Sequence, residues 1–228
     1  MVDPRADARP GDAADADVRR PRVGVLALQG NVREHMHALE AVGAEPVAVK
    51  RPPQLEGLDG LVIPGGESPT MIKLLRTSGL EAPLRERVRS RAFPLFGTCA
   101  GLILLSRETG DPDVPGFRAL DVEVRRNAYG RQRESFEIRL PDHVFGGEPL
   151  EAVFIRAPAI GDAGPDVRVL ARHEGRPVAV RQGDVFGAAF HPELTTDHRL
   201  YAAFVEAVRQ RVEGRSGSDA PSTRGDAA

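Results

Sequence analysis

Nucleophilic chemistry in this chain of 228 residues can draw on one cysteine, six histidines and a few well-placed carboxylates. The cysteine, Cys99, stands in Phe96-Gly97-Thr98-Cys99-Ala100-Gly101, and the apolar run Leu102-Ile103-Leu104-Leu105 follows. This reads as a strand end, a glycine-bracketed turn and a helix start, the arrangement that lifts a nucleophile clear of a sheet. A free thiol has a pKa of about 8.5, and a helix N-terminus or a paired histidine lowers it. Cys99 is therefore placed to act as a thiolate. Gly97 and Gly101 relieve the crowding of so sharp a turn, and the N–H of Ala100, the residue that opens the helix, is the first expected oxyanion donor.

A thiol nucleophile needs a base. His35 and His37 lie two apart on an expected helix, face different ways, and read as solvent-facing rather than as a metal pair. His143 and His173 fall among loop residues, and His198 stands near the start of the last helix. His191 differs in kind, because Phe190-His191-Pro192-Glu193 puts a carboxylate two residues on. If the chain stays extended through Pro192, Glu193 shares a face with His191 and can hold the far N–H of its imidazole, leaving the other nitrogen free to accept a proton from sulfur. Cys99, His191 and Glu193 thus supply the three parts of a thiol acyl-transfer centre.

The third element is Ile63-Pro64-Gly65-Gly66-Glu67-Ser68-Pro69. Paired glycines after a strand let backbone N–H groups turn toward an anion, and Gly66 is the expected second oxyanion donor, opposite Ala100. Ser68 reads as the cap of the next helix with Pro69 at its first helical position.

These residues need a scaffold, and the apolar pattern supplies one. Val23–Leu28, Val47–Val49, Leu61–Ile63 and Leu95–Phe96 are apolar runs of strand length. Helical stretches separate them: Asn31 to about Val42, stopped by Gly43, then Met71–Leu75, Leu84–Val88 and Leu102–Leu105. Asn31 with Glu34 three residues on has the form of a capping box. Strands apolar throughout that alternate with helices imply a parallel sheet covered on both faces. The second half changes character, with short strands at Val122–Val124, Ser135–Leu140, Val153–Ile155, Val167–Ala171, Val178–Val180 and Val185–Phe190, and a turn at Gln182-Gly183-Asp184. Arg199 to Val212 returns to helical spacing through Leu200, Phe204, Val208 and Val212. The expectation is an open α/β sheet with antiparallel additions, whose ligand site lies beyond the carboxyl ends of the strands, where Cys99 and the loop after Ile63 fall.

Composition narrows the function classes. A formal charge of −2 gives no bulk electrostatic reason to expect nucleic acid or an acidic membrane as a partner. A single cysteine cannot form an internal disulfide, which suits a reducing, cytoplasmic setting. No apolar stretch approaches the ~20 residues that span a bilayer. Residues 1–21 read as a disordered leader without a secretory signal, 22–213 as one domain, and 214–228 as a disordered tail.

At this point the motifs resemble those of the class I glutamine amidotransferases, and more closely the glutaminase subunits of pyridoxal 5'-phosphate synthase. The resemblance rests on Val25-Leu26-Ala27-Leu28-Gln29-Gly30-Asn31-Val32-Arg33-Glu34-His35, Pro64-Gly65-Gly66-Glu67-Ser68, Gly97-Thr98-Cys99-Ala100-Gly101, Arg126-Asn127-Ala128-Tyr129-Gly130-Arg131-Gln132, Phe154-Ile155-Arg156-Ala157-Pro158 and Phe190-His191-Pro192-Glu193-Leu194-Thr195. It implies a three-layer, flavodoxin-like α/β fold with a mixed sheet and helices on both faces. It implies that Cys99 attacks the side-chain amide of L-glutamine, with His191 moving the proton and Glu193 behind it. Gly66, Glu67, Ser68, Arg126, Ile155 and Arg156 would surround the amino acid. No cofactor and no metal is implied. The ammonia would pass to a (β/α)8 synthase subunit in an assembly of twelve plus twelve copies, and the glutaminase would stay nearly idle until that partner docks. Gln29-Gly30-Asn31 is the candidate partner-facing loop. Pro69 departs from the usual pattern, in which threonine is commoner. Three other readings stay open on the residues alone: a class I glutaminase serving a different acceptor, such as imidazole glycerol phosphate synthesis, a stand-alone thiol peptidase or γ-glutamyl hydrolase, and a degenerate regulatory subunit.

Overall fold

The computed structural model describes residues 19–91, 93–126 and 135–218. The chain opens with β1 (Arg22–Leu26), α1 (Val32–Ala41), β2 (Glu45–Val49) and β3 (Gly60–Ile63). Then come α2 (Ser68–Thr77), α3 (Glu81–Arg89), β4 (Leu95–Thr98) and α4 (Ala100–Leu105). The second half holds β5 (Ser106–Glu108), β6 (Leu120–Arg125), β7 (Ser135–Leu140), β8 (Leu150–Ile155), β9 (Ala159–Ala163), β10 (Arg168–His173), β11 (Arg176–Gln182), β12 (Val185–Ala188) and α5 (Arg199–Ser218).

The main sheet has seven strands in the order β10-β11-β12-β4-β3-β1-β2. From β12 to β2 every pairing is parallel, while β10, β11 and β12 pair antiparallel. The mixed sheet expected from the change in sequence character is therefore present. Its parallel part, read β2-β1-β3-β4-β12, has the doubly wound order in which the chain reverses direction between β1 and β3. A crevice must open there, because the connections leave to opposite faces.

Adjacent residues of β4 show that helices cover both faces. Successive side chains of a strand point to opposite sides. The Phe96 ring packs at 5.4 Å and 5.6 Å between ring centres on Tyr201 and Phe204 of α5. Gly97, next in line, lies against Gly101 and Leu102 of α4, so closely that a β-carbon there would stand 2.5 Å from the Gly101 backbone. α4 lies that close because neither residue carries a side chain, which accounts for the glycines around Cys99. β1, β3 and β4 are buried almost throughout, as strands covered on both sides must be. In α5, Leu200, Phe204 and Val208 are buried at the expected spacing.

Several boundaries differ from the sequence reading. β1 ends at Leu26 and β12 at Ala188, earlier than their apolar runs, because the following residues turn over the sheet end to form the site. β5 and β9 are not among the strands expected from sequence, because neither Ser106-Arg107-Glu108 nor Ala159-Ile160-Gly161-Asp162-Ala163 is an apolar run of strand length. α5 continues to Ser218, past the expected end of the domain at 213. Glycine costs a helix only ~1 kcal/mol and no proline intervenes before Pro221, so nothing in the sequence stops it. At the other end, Arg19 already pairs with Asp59 at 2.9 Å and Arg20 donates to the Ala44 carbonyl at 2.7 Å, so contacts with the domain begin before the expected boundary at residue 22. Residues 1–18 of the expected leader and 219–228 of the expected tail lie outside the described residues, as do Asn127–Gln132 of the Arg126 motif.

Candidate active site

The carboxyl ends of β1, β3, β4 and β12 converge at the crevice, and each delivers one component. After β4, Cys99 takes φ 49° and ψ −106°, a conformation that crowds the β-carbon of any residue but glycine. Its own N–H reaches the Ala188 carbonyl at 2.8 Å, and its carbonyl accepts from Ile103 at 3.2 Å in the first turn of α4. The turn is thus tied to β12 on one side and to α4 on the other, which is what holds a conformation costing ~1–3 kcal/mol. Ala100 opens the helix, as expected.

His191 follows β12 and lines the same cavity as Cys99, its ring and the Cys99 β-carbon both lying against Gly65. Its Nδ1–H donates to Glu193 Oε1 at 2.7 Å. The expected extension through Pro192 does not occur: Pro192–Leu194 form a 3₁₀ turn. Proline fixes a φ that also suits such a turn, and the tighter coil brings the carboxylate back under the ring. The pairing is reached by a different local geometry from the one the spacing suggested. Burial lowers the pKa of His191, but the hydrogen bonds with Cys99 and Glu193 outweigh it and push the pKa up to about 10. Burial likewise opposes ionisation of Glu193, and His35, His191 and Asn31 overcome that, holding the carboxyl below its ordinary range.

The loop after β3 closes the site. At Gly65 a β-carbon would stand 2.5 Å from His191 Cε1 and 3.2 Å from the Cys99 β-carbon. This measures how little room separates the thiol-bearing turn from the imidazole. Gly65→Ala is therefore expected to push the His191 ring off its line to sulfur. The cost should be about 1–3 kcal/mol of stability and roughly 10²-fold in turnover, seen by thermal unfolding and by steady-state rates. Gly66 has φ +131°, which favours glycine, and lies against the Gln29 side chain, whose Nε2 donates to the Glu67 carbonyl at 2.9 Å. Glu67, not Ser68, is the cap residue of α2; Ser68 begins the helix, Pro69 is its second residue rather than its first, and the Ser68 Oγ is buried without a hydrogen-bond partner among the described residues.

Between these loops lies a cavity of about 250 Å³. Its walls include Gly66, Glu67, Ser68, Arg126, Ile155, Arg156, Cys99 and His191, all expected at the site, together with Gly30, Asn31, Gly65 and Ile103. The Cys99 sulfur stands 3.9 Å from the Ile155 carbonyl oxygen. At the mouth, Glu67 pairs with Arg156 at 3.0 Å and with Arg126 at 3.7 Å, and Arg126 also holds Asp111 at 3.0 Å. A free amino acid presents a carboxylate and an ammonium side by side, and this row of Arg, Glu and Arg offers the complementary charges.

Two residues on the buried side were misjudged. His35 is fully buried rather than solvent-facing. Asn31 makes no side-chain cap and no capping box forms, since Glu34 pairs with Arg33 instead. The Asn31 amide donates to Glu193 Oε1 at 3.1 Å. The apolar face of α1 was legible, but its polar members were invisible as site residues because their partners lie more than 150 positions away.

The SNO glutamine amidotransferase family matches residues 25–210. A protein of Kineococcus radiotolerans named pyridoxal 5'-phosphate synthase subunit PdxT is 53% identical over 203 residues, covering 85% of this chain and 98% of that one. Its namesake from Acidothermus cellulolyticus is 55% identical over 196 residues, covering 83% of this chain and 94% of that one. A crystal structure described as a glutamine amidotransferase superposes with a TM-score of 0.75 at 50% identity, over 82% of this chain and 98% of the other. Matches of this depth run through every element that shapes the cavity, from β1 to α5, and on them the chain belongs to the SNO glutamine amidotransferase family.

Proposed function

We propose that this chain is the glutaminase subunit of a pyridoxal 5'-phosphate synthase, hydrolysing L-glutamine to glutamate and ammonia and passing the ammonia to a synthase partner. The observation that carries the reading is a thiol, an imidazole and a carboxylate in series at a cavity whose mouth bears the Arg126–Glu67–Arg156 row. Names borne by relatives more than 50% identical along nearly their whole length support the assignment to this synthase.

In the proposed cycle, the Cys99 sulfur attacks the side-chain carbonyl carbon of glutamine. The oxygen takes up the negative charge toward the N–H groups of Gly66 and Ala100. A donor of this kind is worth about 3 kcal/mol of transition-state stabilisation. His191, protonated, gives its proton to the departing nitrogen, ammonia leaves, and a glutamyl thioester remains. His191 then removes a proton from water, which attacks the thioester, and glutamate departs with the thiol restored. Glu193 holds the imidazole throughout. Glu67, Ser68, Arg126, Ile155 and Arg156 seat the α-amino acid end. The domain so employed spans 22–213, extended by the continuation of α5. The partner is a (β/α)8 synthase subunit in a complex of twelve plus twelve copies, and the setting is cytoplasmic. No helix among the described residues is long and apolar enough to cross a membrane.

Ammonia release from glutamine, measured for the chain alone and with its cognate synthase subunit, tests the reading. The chain alone is expected to be slow and the complex at least tenfold faster. Equal rates in both would refute dependence on a partner, and activation by a synthase of a different pathway would refute the acceptor.

A further inference from the structure

Behind the His191–Glu193 pair, the polar groups continue inward. His35 of α1 and Tyr201 of α5 are both completely buried, and the Tyr201 hydroxyl lies 2.6 Å from His35 Nδ1. The other ring nitrogen, Nε2, stands 3.4 Å from Thr98 Oγ1 and 3.5 Å from Glu193 Oε1. Tyr201, His35, Glu193 and His191 thus form a row from α5 to the cavity that Cys99 also lines. Burying such groups is costly unless each finds its partner, and a phenylalanine and a leucine would fill the same volume without that cost. The polar pair converges on the carboxylate that faces His191.

The contacts decide where the proton on His35 sits. Burial lowers the pKa of this imidazole, so it is neutral and one nitrogen carries the hydrogen. Were that nitrogen Nδ1, the Nε2 lone pair would face the ionised Glu193 oxygen across 3.5 Å, with both side chains fully buried. With the hydrogen on Nε2, an N–H faces the carboxylate and the Thr98 oxygen. Tyr201, which burial keeps protonated, then donates its O–H to Nδ1. Only this arrangement leaves no two electron-rich atoms opposed. Glu193 bears the mark of it: His191, Asn31 and His35 all approach Oε1, while Oε2 is buried without a hydrogen bond among the described residues.

We infer that His35 and Tyr201 are positioning residues for glutamine hydrolysis: the Tyr201 hydroxyl fixes the tautomer of His35, and the Nε2–H of His35 holds Glu193 Oε1 where it meets His191. The inference rests on the Cys99–His191–Glu193 reading above. Second-layer partners that orient a reacting group are commonly worth 10–100-fold when removed.

The test is the steady-state rate of glutamine hydrolysis by the chain assembled with its synthase subunit, with thermal unfolding measured in parallel. His35→Leu is expected to lower kcat about 10–100-fold with KM changed by less than about threefold, because the substrate row at the mouth is untouched. His35→Gln, whose amide can donate to Glu193 and accept from Tyr201, is expected to recover kcat to within about fivefold of the parent. His35→Leu combined with Tyr201→Phe removes the stranded hydroxyl, so it should regain thermal stability over His35→Leu without regaining kcat. Nitrogen-15 NMR of the unaltered protein should show the proton of His35 on Nε2, and Tyr201→Phe should disturb it. Full kcat in His35→Leu, recovery of kcat together with stability in the double variant, or a proton on Nδ1 would each overturn the inference. If His35→Leu does not fold, His35→Gln, Tyr201→Phe and the NMR signature still decide it. Hydrolysis surviving in Cys99→Ala would defeat the triad reading itself, whereas loss there with an unimpaired His35→Leu defeats only this inference.

Discussion

Cys99→Ala, assembled with the synthase subunit, is expected to release ammonia from glutamine on the order of 10⁴-fold more slowly than the parent, or not measurably. The size follows from the chemistry. Alanine cannot form the thioester, and what remains is whatever rate the oxyanion donors and the bound geometry lend to direct attack by water. The fold should persist, because the turn is held by backbone bonds from Cys99 to Ala188 and from Ile103 to Cys99 that alanine also makes. A comparison with Cys99→Gly separates strain from chemistry. At φ 49° and ψ −106° a β-carbon costs ~1–3 kcal/mol, which exceeds the 0.5–1 kcal/mol that glycine loses through its greater freedom when unfolded. The glycine variant should therefore unfold at a temperature equal to or above that of the alanine variant, and both should be inactive. A glycine variant clearly less stable than the alanine one would mean that the backbone at position 99 is not strained. Undiminished hydrolysis in either would remove the thiol from the mechanism.

How much of this site could be read in the sequence depends on where each residue finds its partner. The elbow around Cys99 was legible because its requirements are local: a strand, two small residues for close approach, a helix start. The Pro64–Ser68 loop and the arginines at 126 and 156 are legible as a set through the family motifs, and Gly65–Ser68 meet both arginines at the cavity. His191 and Glu193 were legible as a pair by proximity in sequence, although the 3₁₀ turn replaced the extended geometry. The inner half of the site was not legible. Asn31 satisfies a local rule, the helix cap, which masks its distant partner. His35 reads as solvent-facing by its spacing to His37. The structure gives both to Glu193 instead, across a contact that only the parallel pairing of β1, β3, β4 and β12 brings about. A polar residue on the apolar face of a helix was the signal available: His35 sits three and four positions before Ala38 and Leu39, both buried. The same blindness applies to β5 and β9, whose strand character comes from their neighbours rather than from their own composition.

Glu193→Gln should show what the carboxylate charge contributes, since the amide keeps the volume. Turnover is expected to fall roughly 10²–10⁴-fold with KM little changed, because a neutral amide neither stabilises the imidazolium nor dictates which ring nitrogen carries the proton. The charge of Glu193, which helps to raise the pKa of His191, is lost and the hydrogen bond passes to a neutral, weaker acceptor, while burial still depresses the pKa, which must come down from about 10. Stability should register the same change. A histidine whose folded pKa is raised contributes stability fully below its unfolded value of 6.5 and loses it as pH rises through about 10. A carboxylate whose folded pKa is lowered contributes above its unfolded value of 4.5 and loses it as pH falls through the folded one. The parent should therefore exceed Glu193→Gln in stability most between pH 4.5 and 6.5, with the margin narrowing toward pH 10 and again in acid. Denaturant unfolding of both proteins across that range reads the margin directly. A margin independent of pH would mean that the two side chains do not form an ion pair in the folded protein, and that the carboxylate acts by hydrogen-bond geometry alone.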